Sequence, residues 1–277
     1  MEQTLCHYLE RRLFRNYGSR EIFGISRYFE DECRKRKLPT DVNLLSCLKM
    51  AWVDEWIDRL IEGEPIQYIS GSAPFHEFDL IIRPGVLIPR PETEELAYRV
   101  QSEMRACRSL HVIDVGTGSG CIGIYLKSRN PSWKLTCIDI SENAISCARE
   151  NACKFGLDID FRCIDFNHFL PEQSEKWDVL VSNPPYIGKS EASAMDSSVL
   201  NYEPHQALFA PDADALHFYR LIAEFGRKHL RADGEIFVEI NPAYLEQTRN
   251  VFKDAGYDSS VCFNDLQGRP RILWISC

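Results

Sequence analysis

The sequence predicts an α/β fold: a seven-stranded, mostly parallel sheet preceded by a small N-terminal helical bundle, the two joined by a β-hairpin linker. Three observations lead there. Residues 1–62 carry apolar positions at helical spacing and no convincing strand. A Gly- and Pro-punctuated segment follows, and from about Glu92 short apolar runs alternate with amphipathic stretches. The implied divisions are 1–62 for the bundle, 63–92 for the linker and 93–277 for the sheet domain.

In the bundle, Leu5, Tyr8, Leu9 and Leu13 form one stripe, and Ile22, Ile25, Tyr28 and Phe29 a second. A third runs through Leu44, Leu45, Leu48, Trp52, Val53, Trp56, Ile57 and Leu60, with a break at Lys37-Leu38-Pro39-Thr40 before it. The basic strip Arg34-Lys35-Arg36-Lys37 reads as a solvated helix end. In the linker, Gly63, Pro65, Gly71, Pro74, Pro84, Gly85, Pro89 and Pro91 punctuate β-like runs at Phe78–Ile82 and Val86–Ile88.

Beyond it, strands are expected at His111–Val115, Lys134–Ile140, Asp160–Ile164, Trp177–Ser182, Glu235–Ile240, Ser260–Phe263 and Ile272–Ile275. Helices near 93–106, 120–129, 141–155, 214–231 and 243–255 separate most of them, which makes the sheet mostly parallel. Asn264–Pro270 is too short for a crossover, so the last strand should return antiparallel.

Composition bounds the function. The chain has 277 residues, 32 Lys and Arg against 41 Asp and Glu, and a formal charge of −9. Both residues 1–80 and the remainder are net acidic, which argues against phosphate-driven nucleic-acid binding. No apolar run approaches the ~18 residues of a membrane span, and no apolar leader opens the chain, so a cytoplasmic protein with no membrane partner is expected. Eleven cysteines without a C-x-x-C pair point to a reducing compartment. Those at 107, 121, 137, 147, 153 and 163 are expected as small buried hydrophobes.

The chemistry concentrates at strand ends. The first strand runs into Asp114-Val115-Gly116-Thr117-Gly118-Ser119-Gly120 and then a helix, where glycines let backbone approach a ligand. A dinucleotide fingerprint is G-x-G-x-x-G; here the third glycine comes one residue early and Cys121 holds the expected place. That spacing favours a methionine nucleoside over a pyrophosphate. Asp139, at the end of the second strand, can accept hydrogen bonds from both ribose hydroxyls. Asp165-Phe166 ends the third, where carboxylate or backbone could meet an adenine edge and the ring its face.

The fourth strand ends in Asn183-Pro184-Pro185-Tyr186. Two prolines remove two N–H donors and fix two φ angles, leaving the Asn183 side chain and the carbonyls as rigid acceptors. The Asn183 oxygen and the Pro184 carbonyl can each take one N–H of a planar NH2 group, with Tyr186 stacked on it. No Cys/His or carboxylate pair suggests an obligate nucleophile or a metal site. Methyl transfer from a sulfonium needs neither, because positioning and electrostatic fit supply the acceleration.

N-P-P-Y is shared by methyltransferases of amide nitrogen and of exocyclic base amines. Three further segments resemble the PrmC/HemK family of peptide chain release factor glutamine methyltransferases: Gly63-Glu64-Pro65-Ile66-Gln67-Tyr68-Ile69-Ser70-Gly71, Leu87-Ile88-Pro89-Arg90-Pro91-Glu92-Thr93-Glu94, and Tyr202-Glu203-Pro204-His205-Gln206-Ala207-Leu208. The likeness covers about residues 62–277 and is weak in the bundle. It implies a Rossmann-like methyltransferase sheet, S-adenosyl-L-methionine as cofactor, S-adenosyl-L-homocysteine as product, and bacterial-type class-I release factors as partners. It also implies that the methyl acceptor is the Gln amide of their Gly-Gly-Gln loop. Gly116, Thr117, Gly118, Ser119, Gly120, Asp139, Phe166 and Asn183 take the cofactor positions, with Phe166 where many relatives carry Trp. Asn183, Pro184, Pro185 and Tyr186 take the substrate position, and Thr93 and Glu94 border the methionine end or the substrate entry. The rival reading is an exocyclic-amine methyltransferase of adenine or guanine in DNA or RNA. The acidic balance, the lack of a target-recognition domain and the I-P-R-P-E-T-E segment weigh against it.

Overall fold

The computed structural model describes residues 5–38, 51–107, 109–172, 174–211 and 214–276. The chain divides into two compact units, 1–72 with 196–202, and 73–195 with 203–277.

In the first unit, α1 (Leu5–Leu13), α2 (Ser19–Lys35) and α3 (Ala51–Ile61) bury one stripe each. Leu9, Leu13, Phe29, Cys33 and Ile57 are fully buried there, joined by Ile66 and Ile69 of the short α4 (Ile66–Ser70). Phe29 lies edge-on to Trp56 at 5.0 Å between ring centroids, a geometry that matches ring edge to ring face. The basic strip is a solvated helix end, as expected: Arg34 pairs with Asp31 and Arg36 with Glu32. Leu44, Leu45 and Leu48 of the third stripe lie outside the described residues, as do Pro39 and Thr40.

A hairpin pairs β1 (Ser72–Phe75) with β2 (Phe78–Ile81) across a two-residue turn in which His76 takes a φ of +49°. Val86–Ile88, expected as β-like, is irregular instead. Prolines at 84 and 89 bracket it, the Val86 amide closes a turn onto the Arg83 carbonyl at 3.1 Å and the Ile88 amide donates to Glu203 at 3.2 Å, while Val86 and Ile88 are buried.

After α5 (Pro91–Met104) come β3 (His111–Val115), α6 (Cys121–Arg129), β4 (Lys134–Asp139), α7 (Glu142–Lys154), β5 (Asp160–Cys163) and β6 (Trp177–Ser182). Two short helices follow, α8 (Ser197–Tyr202) in the first unit and α9 (His205–Leu208) in the second. Then come α10 (His217–His229), β7 (Leu230–Glu239), α11 (Leu245–Asp254), β8 (Ser259–Asn264) and β9 (Pro270–Ser276). The seven strands β3–β9 lie in the order β5-β4-β3-β6-β7-β9-β8. Pairing is parallel except where β9 meets β7 and β8. The predicted return of the last strand is therefore found, with β9 inserted between its two partners.

Apolar layers cover both faces of the sheet. One contains Leu96, Val112, Leu126, Trp133 and Val179, the other Ile113, Leu180, Tyr219, Ile236 and Phe252. Removing each such side chain from water contributes about 1.5–3 kcal/mol. Helix α6 is buried from Cys121 to Leu126, and a Cβ at Gly123 would meet Cys137 Sγ at 2.5 Å. That glycine lets the helix sit hard against β4. Of the six cysteines expected to be buried, Cys121, Cys137 and Cys147 are; Cys107, Cys153 and Cys163 are exposed. Cys107 lies in the turn after α5, and the other two occupy the solvent face of their element.

Candidate active site

Parallel strands bring their carboxyl ends to one edge of the sheet, and β3, β4, β5 and β6 lie side by side there. A cavity of about 430 Å³ opens at this edge. Of the residues singled out in the sequence, Gly116, Thr117, Gly118, Ser119, Asp139, Phe166, Asn183, Pro184 and Pro185 line it. Gly120 and Tyr186 do not belong to the lining.

The register of β3 on β4 places Val115 opposite Ile138, so the glycine turn begins beside Asp139. The amides of Gly116 and Thr117 both donate to the Ile138 carbonyl, at 2.9 and 3.0 Å. Gly118 N donates to Asp139 Oδ2 and Ser141 N to Asp139 Oδ1, both at 2.9 Å. Burial pushes the Asp139 carboxyl up, and those amides oppose it. Each Asp139 oxygen thus holds one backbone donor and retains acceptor capacity toward the cavity. Gly116, Gly118 and Gly120 all have positive φ, which explains the residue type at each. A Cβ at Gly118 would meet nothing within 4 Å, whereas one at Gly120 would press on Ala148 at 3.0 Å. Gly118 therefore leaves room beside the cavity, and Gly120 lets α6 close on α7. Beneath the turn, Asp114 is fully buried and accepts from Thr117 Oγ1 at 2.6 Å. Burial pushes its carboxyl up to about 7, against that hydrogen bond.

Asp165 and Phe166 both line the cavity. The Asp165 carboxylate caps a short 3-10 turn through the amide of Asn167 at 2.9 Å. The Phe166 ring rests on Phe225, 5.3 Å away, which fixes its plane.

At the other end stands Asn183. Its Nδ2 donates to Thr93 Oγ1 at 2.9 Å, and Thr93 Oγ1 donates to Glu239 Oε2 at 2.8 Å. Tyr186 donates its hydroxyl to Glu239 Oε1 at 2.8 Å. Burial pushes the Glu239 carboxyl up, opposed by the bonds from Tyr186 and Thr93 and by the Arg271 guanidinium. Burial and the neighbouring Glu239 together push the Tyr186 phenol well up. Thr93 lines the cavity beside Asn183. Glu94 instead receives the amide of His76 at 2.9 Å and holds the hairpin turn.

Three residues that the sequence reading passed over hold this architecture. Glu239 is buried in an otherwise apolar run, Phe237-Val238-Glu239-Ile240, and that charge was the signal. Glu203 is buried too; it accepts from the amide of Ile88 at 3.2 Å and pairs with Arg90, tying the segment after N-P-P-Y to the loop before α5. Asn151, on α7, receives Ile81 N at 2.6 Å and donates to the carbonyls of Ile81 and Ser119, each at 3.0 Å. A buried Asn within a helix gave little sign of that task.

The family model for the methyltransferase small domain matches residues 94–202. The solved T. thermophilus 16S rRNA N2 G1207 methyltransferase RsmC, in complex with AdoMet and guanosine, superposes with a TM-score of 0.54 at 16% identity, covering 74% of this chain and 49% of that one. At that identity the likeness is one of fold. A Bacteroides thetaiotaomicron protein named release factor glutamine methyltransferase is 42% identical over 230 residues, 83% of this chain and 82% of the relative. A Flavobacterium psychrophilum protein of the same name is 34% identical over 243 residues, 86% and 84% of the two chains. With relatives this similar over most of its length, the chain is a methyltransferase and belongs to the release factor glutamine methyltransferase family.

Proposed function

We propose that the chain transfers a methyl group from S-adenosyl-L-methionine to the side-chain amide nitrogen of the Gln in the Gly-Gly-Gln loop of bacterial-type class-I release factors. One observation carries the reading. A single cavity is lined at one end by the glycine turn and Asp139, and at the other by the Asn183 amide and the prolines after it. The residues fit the cofactor: an acidic acceptor for a diol, an open turn at Gly118, and an aromatic face at Phe166. Gly116, Thr117, Gly118, Ser119, Asp139, Phe166 and Asn183 would hold it, with Gly120 supporting the turn from behind. When bound it supplies an electrophilic methyl on sulfur and leaves as S-adenosyl-L-homocysteine.

The protein's part is to hold the acceptor. An amide nitrogen is a poor nucleophile because its lone pair is delocalised into the carbonyl, which makes the group planar. Asn183 Oδ1 and the Pro184 carbonyl each take one N–H, favouring the lone pair's rise out of plane and the positive charge that builds on nitrogen, one of whose protons is then released to solvent. Pro185 and Tyr186 complete the substrate side, Tyr186 through the backbone turn it anchors. Residues 1–62 recognise the body of the release factor, 63–92 link, and 93–277 carry out the chemistry in the cytoplasm. Among the described residues no helix is long and apolar enough to cross a membrane.

The test is direct. The protein is incubated with methyl-labelled cofactor and either a class-I release factor or total RNA. Label on the release factor, mapped by mass spectrometry to the Gly-Gly-Gln glutamine, is the expected result; label on RNA alone would replace this reading with the exocyclic-amine one.

A further inference from the structure

We propose that Thr93 and Glu239 are positioning residues that decide which end of the Asn183 side-chain amide faces the cavity, and through it make the site select an NH2 acceptor. The inference rests on the reading of Asn183 just given and extends it to two residues outside the N-P-P-Y run.

The argument is one of proton counting. A hydroxyl has one proton to give and two lone pairs to receive with. Thr93 Oγ1 gives its proton to Glu239 Oε2. Glu239 takes a second donor, the Tyr186 hydroxyl, on Oε1. A donor on each oxygen, with the Arg271 guanidinium beside the pair, favours the carboxylate, which has no proton to return. With its proton committed, Thr93 can offer Asn183 only a lone pair, so Asn183 must turn Nδ2 toward it, as it does at 2.9 Å. Rotating the amide by half a turn would set Asn183 Oδ1 against the Thr93 oxygen with no proton between them, and would aim Nδ2 into the cavity. The orientation that remains presents an acceptor to the substrate. A donor group is welcomed there and an acceptor such as a carboxylate oxygen is opposed.

Each link is itself fixed. Thr93 sits in the first turn of α5 and is buried, so its hydroxyl has few other partners to choose from. Glu239 ends β7, and its own carbonyl receives the Tyr219 hydroxyl at 2.9 Å. Arg271, on β9, places a guanidinium beside the Glu239–Tyr186 pair, and its Nη1 donates to the Ile240 carbonyl at 3.4 Å. Three elements distant in sequence therefore converge on the angle of one amide.

The experiment compares Thr93→Val, Thr93→Ser and Glu239→Gln with the wild type, measuring kcat, KM for release factor, cofactor Kd by calorimetry and thermal melting. Valine has the shape of threonine but nothing to accept with. Serine keeps the hydroxyl. Glutamine at 239 can donate to Thr93, free its proton to point at Asn183, and so invite the wrong amide orientation. Thr93→Val and Glu239→Gln should lower kcat by about 10–10²-fold, up to the size of one preorganised polar contact to a transition state, with cofactor Kd within about threefold. Thr93→Ser should stay within about threefold of wild type in kcat. The proposal is overturned if Thr93→Val keeps full kcat, if serine fails to rescue it, or if cofactor binding falls as steeply as kcat. Should Thr93→Val melt without cooperativity, Glu239→Gln decides by the same limits. Failure of the underlying reading looks different: the wild type itself would then leave the release-factor glutamine unlabelled.

Discussion

The amide of Gly118 hydrogen-bonds to Asp139 Oδ2 at 2.9 Å, so the proposed ribose acceptor also secures the middle of the glycine turn. Replacing Asp139 with Ala removes both functions at once. Cofactor affinity should weaken by at least about 1.5–3 kcal/mol, the range for hydrogen bonds to a charged group. Calorimetry showing an unchanged Kd would take Asp139 out of the site.

On the proposed reading, Asn183→Ala leaves the acceptor amide held by the Pro184 carbonyl alone. A fall of about 10²–10³ in kcat is expected, as when one preorganised contact to a transition state is lost, with a smaller effect on cofactor affinity. The complementary change is in the substrate. Gln-to-Glu in the Gly-Gly-Gln loop leaves no NH2 and should abolish labelling; label that persisted and mapped to another residue would contradict the substrate assignment.

Asn151 joins β2 to the glycine turn with one acceptor and two donor contacts. Asn151→Asp keeps the shape but cannot donate, so two buried carbonyls would face a carboxylate. Stability should drop by about 2–6 kcal/mol, since each of the two unmet groups costs about 1–3. Urea unfolding at neutral pH measures it, and an Asp variant as stable as the wild type would show that these contacts carry little.

Asp114 gives a pH signature. Its native carboxyl lies near 7 because of burial, and in the unfolded chain it titrates near 3.9. Between those values the native state holds a proton that the unfolded state lacks. This group's contribution to stability is therefore fully present below about pH 4 and is lost as pH rises toward 7. Asp114→Asn cannot titrate, so the variant should gain on the wild type between pH 5 and pH 8. Denaturant midpoints at the two pH values test this, and a difference that did not grow with pH would refute it.

Phe14 and Phe23 are 64% and 63% exposed in the first unit, and the Arg15 guanidinium lies 5.6 Å from the Phe14 ring. If residues 1–62 recognise the release factor, Phe14→Ser with Phe23→Ser should raise KM for the intact factor several-fold. The rate on a short Gly-Gly-Gln peptide should stay the same, and so should the melting temperature. Equal loss on both substrates would place the recognition elsewhere.

Much of this was legible from local pattern. Strand β6 fell where its apolar run predicted, and the turn after β3 was given by Gly116, Gly118 and Gly120. What escaped were partnerships set by tertiary approach. Thr93 and Glu239 are 146 residues apart, and nothing in either neighbourhood announces the other. Of the two β-like runs expected in the linker, Phe78–Ile82 forms a strand, but Val86–Ile88 does not, because its amides close a turn onto Arg83 and reach Glu203 instead. Helix α10 and β7 were set apart by several residues, whereas the chain passes from His229 to Leu230 without a loop. Cys153 and Cys163 surfaced because position within an element, which the period gives only loosely, decides which side meets water, and Cys107 because its helix ends before it.

The placement of β9 has a bearing on how the enzyme comes into being. Glu239 pairs with Ile272, and the Ile240 amide donates to the Arg271 carbonyl at 2.8 Å. The far side of β7 is thus closed only by a strand made more than thirty residues later in synthesis. The residues proposed for the cofactor lie at the ends of β3, β4, β5 and β6, all made before β7. Every residue proposed to hold the nucleoside is therefore synthesised before Glu239, which is proposed to help fix the angle of Asn183. On that proposal, a chain released before β9 would carry the nucleoside residues yet lack the strand that closes β7 beside Glu239.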